Sequence, residues 1–307
     1  MTVTTLWEAQ PGTKRKPEDS PTLIIGIAGP SASGKSSLLK SISEYLNEEN
    51  VTHFDLDGYH LHTRKQRREL GEYPDEIKAN DLDRIIHDIK ALIEGRIIDM
   101  PVYNHKKGLF SSPLRLVPKP IVFVEGLHSI LMNEISGQEV IGLSIFLCPD
   151  DDLRKSWKVG RDVSERGYAY SEAIEQIASR EPFVAKYVLP QVNIADVLVL
   201  MHRKENSSVE HRVLLSPTFC DKHLNGKLIK DRLSEIFSMR VVTFGGKCYT
   251  EIHLESSAAM SDLLKDTIPR LGPLSPPRCI MRIGDRYSFT EIVEVLLVVI
   301  LMMLAGR

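Results

Sequence analysis

Nine residues constrain the fold of this sequence more than any others. The stretch GPSASGKSS (29–37) follows an apolar, β-branched run, TLIIGIAG (22–29), and leads into SSLLKSISEYL (36–46), whose apolar residues recur at helical spacing. Gly29, Gly34, Lys35 and Ser36 match the pattern G-x-x-x-x-G-K-[ST] of a phosphate-binding loop. Such a loop requires a strand before it and a helix after it, and this sequence predicts both. A chance match in a turn rich in glycine and serine is therefore disfavoured.

The backbone N–H groups of such a loop point at phosphate oxygens, and the dipole of the following helix adds to their effect. The pattern assigns Lys35 to the β- and γ-phosphates and Ser36 to Mg²⁺. Glu125 ends another buried strand, PIVFVEG (120–126), where a carboxylate can order Mg²⁺ or its waters. The alternative, that Glu125 is a strand-end carboxylate that only faces solvent, is equally favoured. The residues expected to bind nucleotide are Gly29, Ser31, Ala32, Ser33, Gly34, Lys35, Ser36 and Ser37.

Strand-like and helix-like segments alternate along most of the chain. We expect an α/β fold of the P-loop kinase type, in which a mostly parallel sheet has helices on both faces. A smaller mixed C-terminal extension with a final helix follows. The predicted units are a flexible N-terminal tail (1–20), a kinase core (21–205) and the extension (206–307), which packs on the core.

Composition excludes several classes of protein. The formal net charge of −2 gives no overall field that would attract nucleic acid or membrane. The four cysteines are scattered without a metal-binding spacing, which predicts free thiols and a cytoplasmic protein. The apolar run IVEVLLVVILMMLA (292–305) is short for a bilayer span and contains Glu294, so we expect a buried helix there. A membrane anchor is the less favoured alternative.

Asp57 closes the strand-like segment VTHFDLD (51–57), and parallel strands end at one common crevice. A carboxylate there can accept the proton of an attacking hydroxyl, although an Asp before Gly58 also suits a simple turn. In WKVGRDVSERG (157–167), helical spacing places Lys158, Arg161, Asp162 and Glu165 on one face, with Arg166 at its edge.

These charges could simply be surface pairs. Beside a P-loop, however, Lys and Arg can neutralise a transferring phosphoryl group or bind a phosphate already present on the acceptor. The cluster favours a sugar phosphate over a neutral nucleoside, and no Asn-Lys-x-Asp guanine-binding motif is present.

Several further motifs occur in a recognisable order. They are AGPSASGKSS, DLDGYH, EIKANDLD, IKALIEG, PVYNHKKG, VEGLHS, WKVGRDVSERG and LPQVNIADV. Together they resemble the phosphoribulokinase/uridine kinase family over roughly residues 23–200. EGLH and WKxxRDxxERG are the motifs that separate the phosphoribulokinase branch from the uridine kinases. The resemblance implies ATP-dependent phosphorylation of the C1 hydroxyl of D-ribulose 5-phosphate, with Mg²⁺, by a homodimer.

The resemblance also implies roles for single residues. Asp57 matches the general base, and Glu125 the second acidic residue beside Ser36 at the metal. The catalytic set is Asp57, Lys35, Lys158, Arg161 and Asp162. The positions around the sugar phosphate are His60, Arg64, Tyr103, His105, Arg161 and Arg166.

The sequence departs from the plant-type members of the family at two positions. Those enzymes carry regulatory cysteines where this chain has Ser33 and Asp55, so we expect no dithiol switch of that kind. Two alternatives stay open: a sister kinase acting on uridine, glycerate or another small alcohol, and a nucleotide-binding scaffold without turnover.

Overall fold

A computed structural model of the chain describes residues 22–46, 48–223 and 237–254. The expected tail (1–20) and the expected final helix (292–305) lie outside these residues, and both stay predictions. In the part of the chain that the structure describes, no helix is long and apolar enough to cross a membrane.

The strands and helices are numbered in chain order. The strands are β1 (Leu23–Ala28), β2 (Val51–Asp55), β3 (Ile98–Asn104), β4 (Leu109–Leu116), β5 (Ile121–Glu125), β6 (Leu143–Pro149), β7 (Val197–Arg203), β8 (Val209–Leu215), β9 (Phe237–Phe244) and β10 (Lys247–Leu254). The helices are α1 (Lys35–Leu46), α2 (Arg64–Leu70), α3 (Leu82–Ile93), α4 (Met132–Ser136), α5 (Asp151–Ser164), α6 (Tyr170–Phe183) and α7 (Pro217–His223).

Eight strands form one sheet in the order β2-β5-β1-β6-β7-β8-β10-β9. The first five are parallel, and the last three are antiparallel. All six residues of β1 are buried, so both faces of the sheet are covered at its centre. The predicted α/β fold with a mostly parallel sheet is confirmed.

The order of the strands places the phosphate-binding loop in the middle of the sheet, because the loop follows the central strand β1. One face of the sheet packs on α3, whose Ile85, Ile89 and Leu92 contact Phe54 and Val124 in one buried cluster. The carboxyl ends of β2 and β5 therefore lie on one side of the loop, and those of β6 and β7 on the other.

Two element boundaries differ from the sequence prediction. The strand expected to end at Asp57 ends at Asp55, because the Asp55 carboxylate accepts a hydrogen bond from the backbone N–H of Asp57 and turns the chain into a 3₁₀ turn, Leu56–Tyr59. Helix α5 ends at Ser164, so Arg166 lies in the turn after the helix and not at the edge of a helical face.

The antiparallel hairpin β3–β4 was not predicted from the sequence. It forms a separate two-stranded sheet. Gly58 lets the turn after β2 pack directly against it, since a Cβ at that position would lie 1.9 Å from the carbonyl oxygen of Pro101. The hairpin is thereby fixed beside the end of β2.

Strands β8, β10 and β9 continue the sheet beyond the predicted core boundary at residue 205. Glu251 of β10 is fully buried and binds Arg212 of β8 and Arg240 of β9 at 2.5 and 2.6 Å. One carboxylate thus joins three strands. The division into a core (21–205) and an extension (206–307) stays a prediction.

Candidate active site

The loop after β1 has the backbone geometry that phosphate binding needs. Gly29 has a φ of +147°, and a Cβ there would lie 2.7 Å from the carbonyl oxygen of Leu147, so only glycine fits. Ala32 also has a positive φ, of +66°. The Ser33 hydroxyl is buried without a hydrogen-bond partner among the described residues. An unpaired donor at this place suits a loop built around a phosphate.

Lys35 lies under the loop and is almost fully buried. Its ammonium group donates to the carbonyl oxygens of Gly29 and Pro30 at 2.9 and 3.0 Å. Burial lowers the pKa of Lys35, while the carboxylates of Glu125 and Asp57 oppose that shift. A dry ammonium held between two carboxylates and the loop is well placed to bind a phosphate.

The two residues predicted for the metal contact each other directly. Ser36 Oγ donates to Glu125 Oε1 at 2.7 Å, although the residues are 89 positions apart in sequence. Burial raises the pKa of Glu125, which lies at the end of β5. No cluster of three His, Cys, Asp or Glu side chains in the described ranges could hold a metal alone. One hydroxyl and one carboxylate do fit Mg²⁺, which usually takes few protein ligands and completes its shell with phosphate oxygens and water.

Asp57 lines the same cleft and lies near two histidines. His105 Nε2 is 2.9 Å from Asp57 Oδ2, and His60 Nε2 is 3.9 Å from Oδ1. Burial alone would raise the pKa of Asp57, but the hydrogen bond from His105 and the nearby charges outweigh it and hold the pKa below its ordinary value. Asp57 is therefore an anion across the range in which an enzyme works.

Asp55 is the partner of Glu125 in the pairing of β2 with β5. The Asp55 side chain lines the cleft, and protein atoms surround it on its other sides. Burial, together with the negative charge of Asp57, raises the pKa of Asp55 to about 8. The two aspartates of the DLD motif consequently differ: one stays charged and the other resists ionisation.

One buried carboxylate of α5 forms ion pairs with three basic side chains. Asp162 binds Lys158 at 2.6 Å, Arg161 at 2.9 Å and Arg166 at 3.5 Å. Arg161 also donates to Ser31 Oγ of the phosphate-binding loop at 3.0 Å. The predicted basic cluster is thereby joined to the loop.

Lys158 and Asp162 lie behind the cleft and do not line it. Lys158 is 3% exposed and Asp162 is not exposed at all. Burial and the neighbouring Arg180 lower the pKa of Lys158 to about 8. Arg161 and Arg166 are the members of the cluster that face the cleft.

Four of the six residues predicted around the sugar phosphate form one connected group in the cleft, namely His60, Arg64, Tyr103 and His105. Arg64 donates to the backbone carbonyl of His105, and its guanidinium group lies over the ring of Tyr168. His60 is buried and bonds to Asn80 through Nδ1 at 2.8 Å. Tyr103 packs edge-on against both His60 and His105. His105 thus contacts the predicted base directly, which the sequence did not indicate.

A single cleft of about 1360 Å³ connects these groups. The predicted residues that line it are Ser31, Ala32, Ser33, Gly34, Lys35, Ser36, Ser37, Asp57, His60, Arg64, Tyr103, His105, Glu125, Arg161 and Arg166. This volume exceeds that of an ordinary small-molecule pocket, so the cleft has room for two substrates.

Sequence reasoning missed three charged residues that shape the cleft. Arg67 is buried and donates to the backbone carbonyl of His62 and to the hydroxyl of Tyr103. Arg180 of α6 binds the buried Asp75 at 2.5 Å. Arg67 stands within the run RKQRR, where charge alone does not distinguish a buried arginine from a solvated one. Nothing in the sequence pairs residue 180 with residue 75.

The model of the family described as "Phosphoribulokinase / Uridine kinase family" matches residues 24–208. This chain belongs to that family. The match begins in β1 and ends just before β8, so it contains every predicted site residue.

Similarity to individual relatives does not separate the branches of the family. A phosphoribulokinase of Synechocystis is 33% identical over 177 residues, which cover 58% of this chain and 53% of that protein. A spinach chloroplast phosphoribulokinase is 32% identical over 195 residues, covering 58% and 48%. A uridine kinase of Chloroflexus aggregans is 31% identical over 183 residues, covering 57% and 85%. The chain spans about half the length of the curated phosphoribulokinases it matches.

Among solved structures, the phosphoribulokinase of Rhodobacter spheroides resembles this chain with a TM-score of 0.56 and 18% identity. The likeness covers 82% of this chain and 97% of the other. At this identity it supports the fold alone.

Proposed function

We propose that the protein is an ATP-dependent kinase that phosphorylates the C1 hydroxyl of D-ribulose 5-phosphate, giving ribulose 1,5-bisphosphate and ADP. The observation that supports this most strongly is the sharing of Asp162 by three cations. Lys158, Arg161 and Arg166 carry three positive charges and Asp162 carries one negative charge, so this cluster has a net charge of +2 beside the phosphate-binding loop. Arg64 adds another cation, which binds a carbonyl group. A neutral nucleoside does not need this surplus, whereas a sugar phosphate does.

In this mechanism Asp57 accepts the proton of the attacking C1 hydroxyl, for which its anionic state is required. Lys35 and the backbone N–H groups of the loop hold the β- and γ-phosphates. Arg161, fixed against Ser31, neutralises charge that develops on the transferred group. Lys158 contributes its positive charge from behind Asp162 without touching the substrate.

Arg64 and Arg166, which face the cleft from α2 and from the turn after α5, hold the 5-phosphate. His105 fixes Asp57 in place, while His60 and Tyr103 support that contact. We assign Ser36 and Glu125 to Mg²⁺, which when bound polarises the phosphoryl oxygens and offsets their charge. The remaining loop residues, from Gly29 to Ser37, enclose the triphosphate.

The rest of the proposal depends on the family resemblance and on composition. We assign the protein to the cytoplasm, to carbohydrate metabolism of the Calvin type and to a homodimeric state. Its partner is a small sugar phosphate, and we expect it to bind neither nucleic acid nor membrane.

A coupled assay with purified protein, ATP and Mg²⁺ tests the proposal. Ribulose 5-phosphate, uridine and glycerate are compared as acceptors at equal concentrations. We expect kcat/KM for ribulose 5-phosphate to exceed that for uridine by more than about a hundredfold, because a neutral acceptor supplies no negative charge to balance the net positive charge that Asp162 leaves on its three cations. A preference for uridine would overturn the argument from the basic cluster. Nucleotide binding without turnover of any acceptor would support the scaffold alternative.

A further inference from the structure

Asn80 belongs to the motif EIKANDLD, to which the proposed mechanism assigns no task. It lies directly beside His60, and the two residues form an isolated antiparallel bridge. A backbone hydrogen bond of 3.0 Å runs from the N–H of Leu61 to the carbonyl oxygen of Ala79. The backbone therefore fixes the side chains of His60 and Asn80 next to each other.

The contacts of the Asn80 amide determine which of its two ends faces His60. One end lies near two backbone carbonyl oxygens, that of Glu76 at 2.8 Å and that of Pro74 at 3.4 Å. A carbonyl oxygen only accepts hydrogen bonds, so this end is the NH₂ group. The other end is the amide oxygen, which is 2.8 Å from Nδ1 of His60.

This contact sets the tautomer of His60. The amide oxygen of Asn80 only accepts, so Nδ1 of His60 carries the proton and donates it. A neutral imidazole has one N–H, which leaves Nε2 with a lone pair and no proton. The ring of Tyr103 packs edge-on against the imidazole, with 5.4 Å between the ring centroids, and helps to hold its orientation.

The groups around His60 favour the neutral imidazole. Burial lowers the pKa of His60, and the negative charge of Asp57 opposes this shift without reversing it. Arg67 and His105 also lower the pKa. His128, a further titratable neighbour, is itself neutral near pH 7 because burial lowers its pKa to about 4.

Nε2 of His60 faces the carboxylate of Asp57, whose two oxygens have different surroundings. Oδ2 accepts a hydrogen bond from Nε2 of His105, at 2.9 Å. Oδ1 is 3.9 Å from Nε2 of His60, which is beyond hydrogen-bond range. No hydrogen bond from a residue that the structure describes reaches Oδ1. One oxygen of the proposed base is thus held, and the other keeps its lone pairs.

We propose that Asn80 is a positioning residue that fixes the tautomer of His60 and thereby leaves Oδ1 of Asp57 free to take the proton of the attacking hydroxyl. This inference rests on the proposed kinase activity, in which Asp57 is the base. In the other tautomer, His60 would carry its proton on Nε2 and could donate it to Oδ1. Both oxygens of the carboxylate would then accept hydrogen bonds, which makes the carboxylate a weaker base and occupies the oxygen that the substrate needs. Asn80 does not line the main cleft, so it acts through His60 alone.

Two substitutions of Asn80 separate its effect on His60 from its effect on the local fold. Asn80→Leu and Asn80→Asp both remove the amide donor to the backbone carbonyls of Glu76 and Pro74. Only N80D keeps an oxygen that can accept the proton of His60 Nδ1. A merely structural role of Asn80 therefore predicts similar losses in the two variants, whereas control of the tautomer predicts different ones.

The tautomer is measured by ¹⁵N NMR of the histidine side chains in the free protein, with the His60 signals assigned by their loss in His60→Gln. In the wild type near neutral pH we expect a protonated Nδ1 and an unprotonated Nε2. In N80L we expect both tautomers to be populated. A wild-type His60 that carries its proton on Nε2, or an unchanged tautomer in N80L, would overturn the inference.

Steady-state kinetics with ATP and ribulose 5-phosphate measure the consequence for the reaction. N80L should lower kcat about tenfold or more at every pH and change KM for ATP little, because fewer molecules have a free proton acceptor. In N80D the new carboxylate favours the imidazolium form of His60, which has an N–H on both nitrogens. The kcat of N80D should therefore approach that of the wild type at alkaline pH and fall as the pH falls through the raised pKa of His60. Equal losses in the two variants at all pH values contradict the inference.

The two measurements also distinguish this inference from the proposed function. If N80L changes the tautomer as expected but the wild type does not phosphorylate ribulose 5-phosphate, the proposed function fails and the assignment of the tautomer to Asn80 stands. If ribulose 5-phosphate is phosphorylated and N80L keeps the wild-type kcat, the inference fails and the proposed function stands.

Discussion

His105 Nε2 lies 2.9 Å from Asp57 Oδ2, and this contact joins the turn of the β3–β4 hairpin to the end of the main sheet. Because His105 also receives Arg64 at its backbone carbonyl, the proposed base and a proposed phosphate-binding residue meet at one histidine. The two residues are proposed for different tasks, proton transfer and phosphate binding, so their substitutions should change different kinetic parameters.

Replacing Asp57 by Asn removes the proton acceptor while keeping the size of the side chain. We expect kcat with ribulose 5-phosphate to fall by about 10²–10⁴-fold, the usual contribution of a general base, with the affinity for ADP unchanged. Steady-state kinetics and ADP titration measure the two effects. Asp99→Asn, on the exposed face of the hairpin, is the matched control. A kcat near that of the wild type would remove Asp57 from this role.

Replacing His105 by Ala removes the hydrogen bond that opposes the effect of burial on Asp57. The pKa of Asp57 should then rise, since burial favours its neutral form. The acidic limb of the profile of kcat/KM against pH should move to higher pH. An acidic limb that stays in place would show that His105 does not control the protonation of Asp57.

Two basic residues of α2 allow a test of phosphate binding. Arg64 lines the cleft, whereas the exposed Lys65 does not line it and is 3.8 Å from Glu69. Arg64→Ala should raise KM for ribulose 5-phosphate about tenfold or more while changing KM for ATP little, because it removes a charge-assisted contact to the sugar phosphate alone. Lys65→Ala is the control and should have a smaller effect. Equal effects of the two substitutions would contradict the assignment of Arg64.

Asp162→Asn tests how much the carboxylate that pairs with three cations contributes to stability. Its removal leaves the buried ammonium of Lys158 without its partner, so we expect the free energy of unfolding to fall by about 3–5 kcal/mol. Urea unfolding gives this quantity. Adding Lys158→Met should recover part of the loss, because the double variant buries no unpaired charge. If the double variant is no more stable than D162N, the loss has another origin.

His128 gives the protein a predictable sensitivity to acid. Burial lowers the pKa of His128 to about 4, against 6.5 for the free side chain. Between these values the unfolded chain takes up a proton that the folded protein excludes, so stability is lost as the pH falls from about 6.5 towards 4. The slope is up to about 1.4 kcal/mol per pH unit for one proton. His128→Gln should flatten the dependence of unfolding free energy on pH. The exposed His87→Gln on α3 is the comparison, and an equal slope in both variants would exclude His128 as the cause.

Much of the central sheet could be predicted because its strands are short apolar runs and its helices have regular apolar spacing. The phosphate-binding loop (29–37) could be predicted because its backbone geometry requires glycine and its ligand requires a positive charge, and both requirements leave a recognisable sequence pattern. The hairpin β3–β4 was not predicted, since β4 is exposed along most of its length and has no apolar alternation. Contacts such as Arg180 with Asp75, or His105 with Asp57, depend on tertiary packing that no local pattern encodes.

The closeness of Gly58 to Pro101 has a mechanical consequence. The β3–β4 hairpin packs against the main sheet at this backbone contact, and His105 lies in the turn of the hairpin. A bulkier side chain at position 58 would move the hairpin away from the sheet. The imidazole of His105 would then move away from Asp57, and the pKa of a carboxylate outside the hairpin would change.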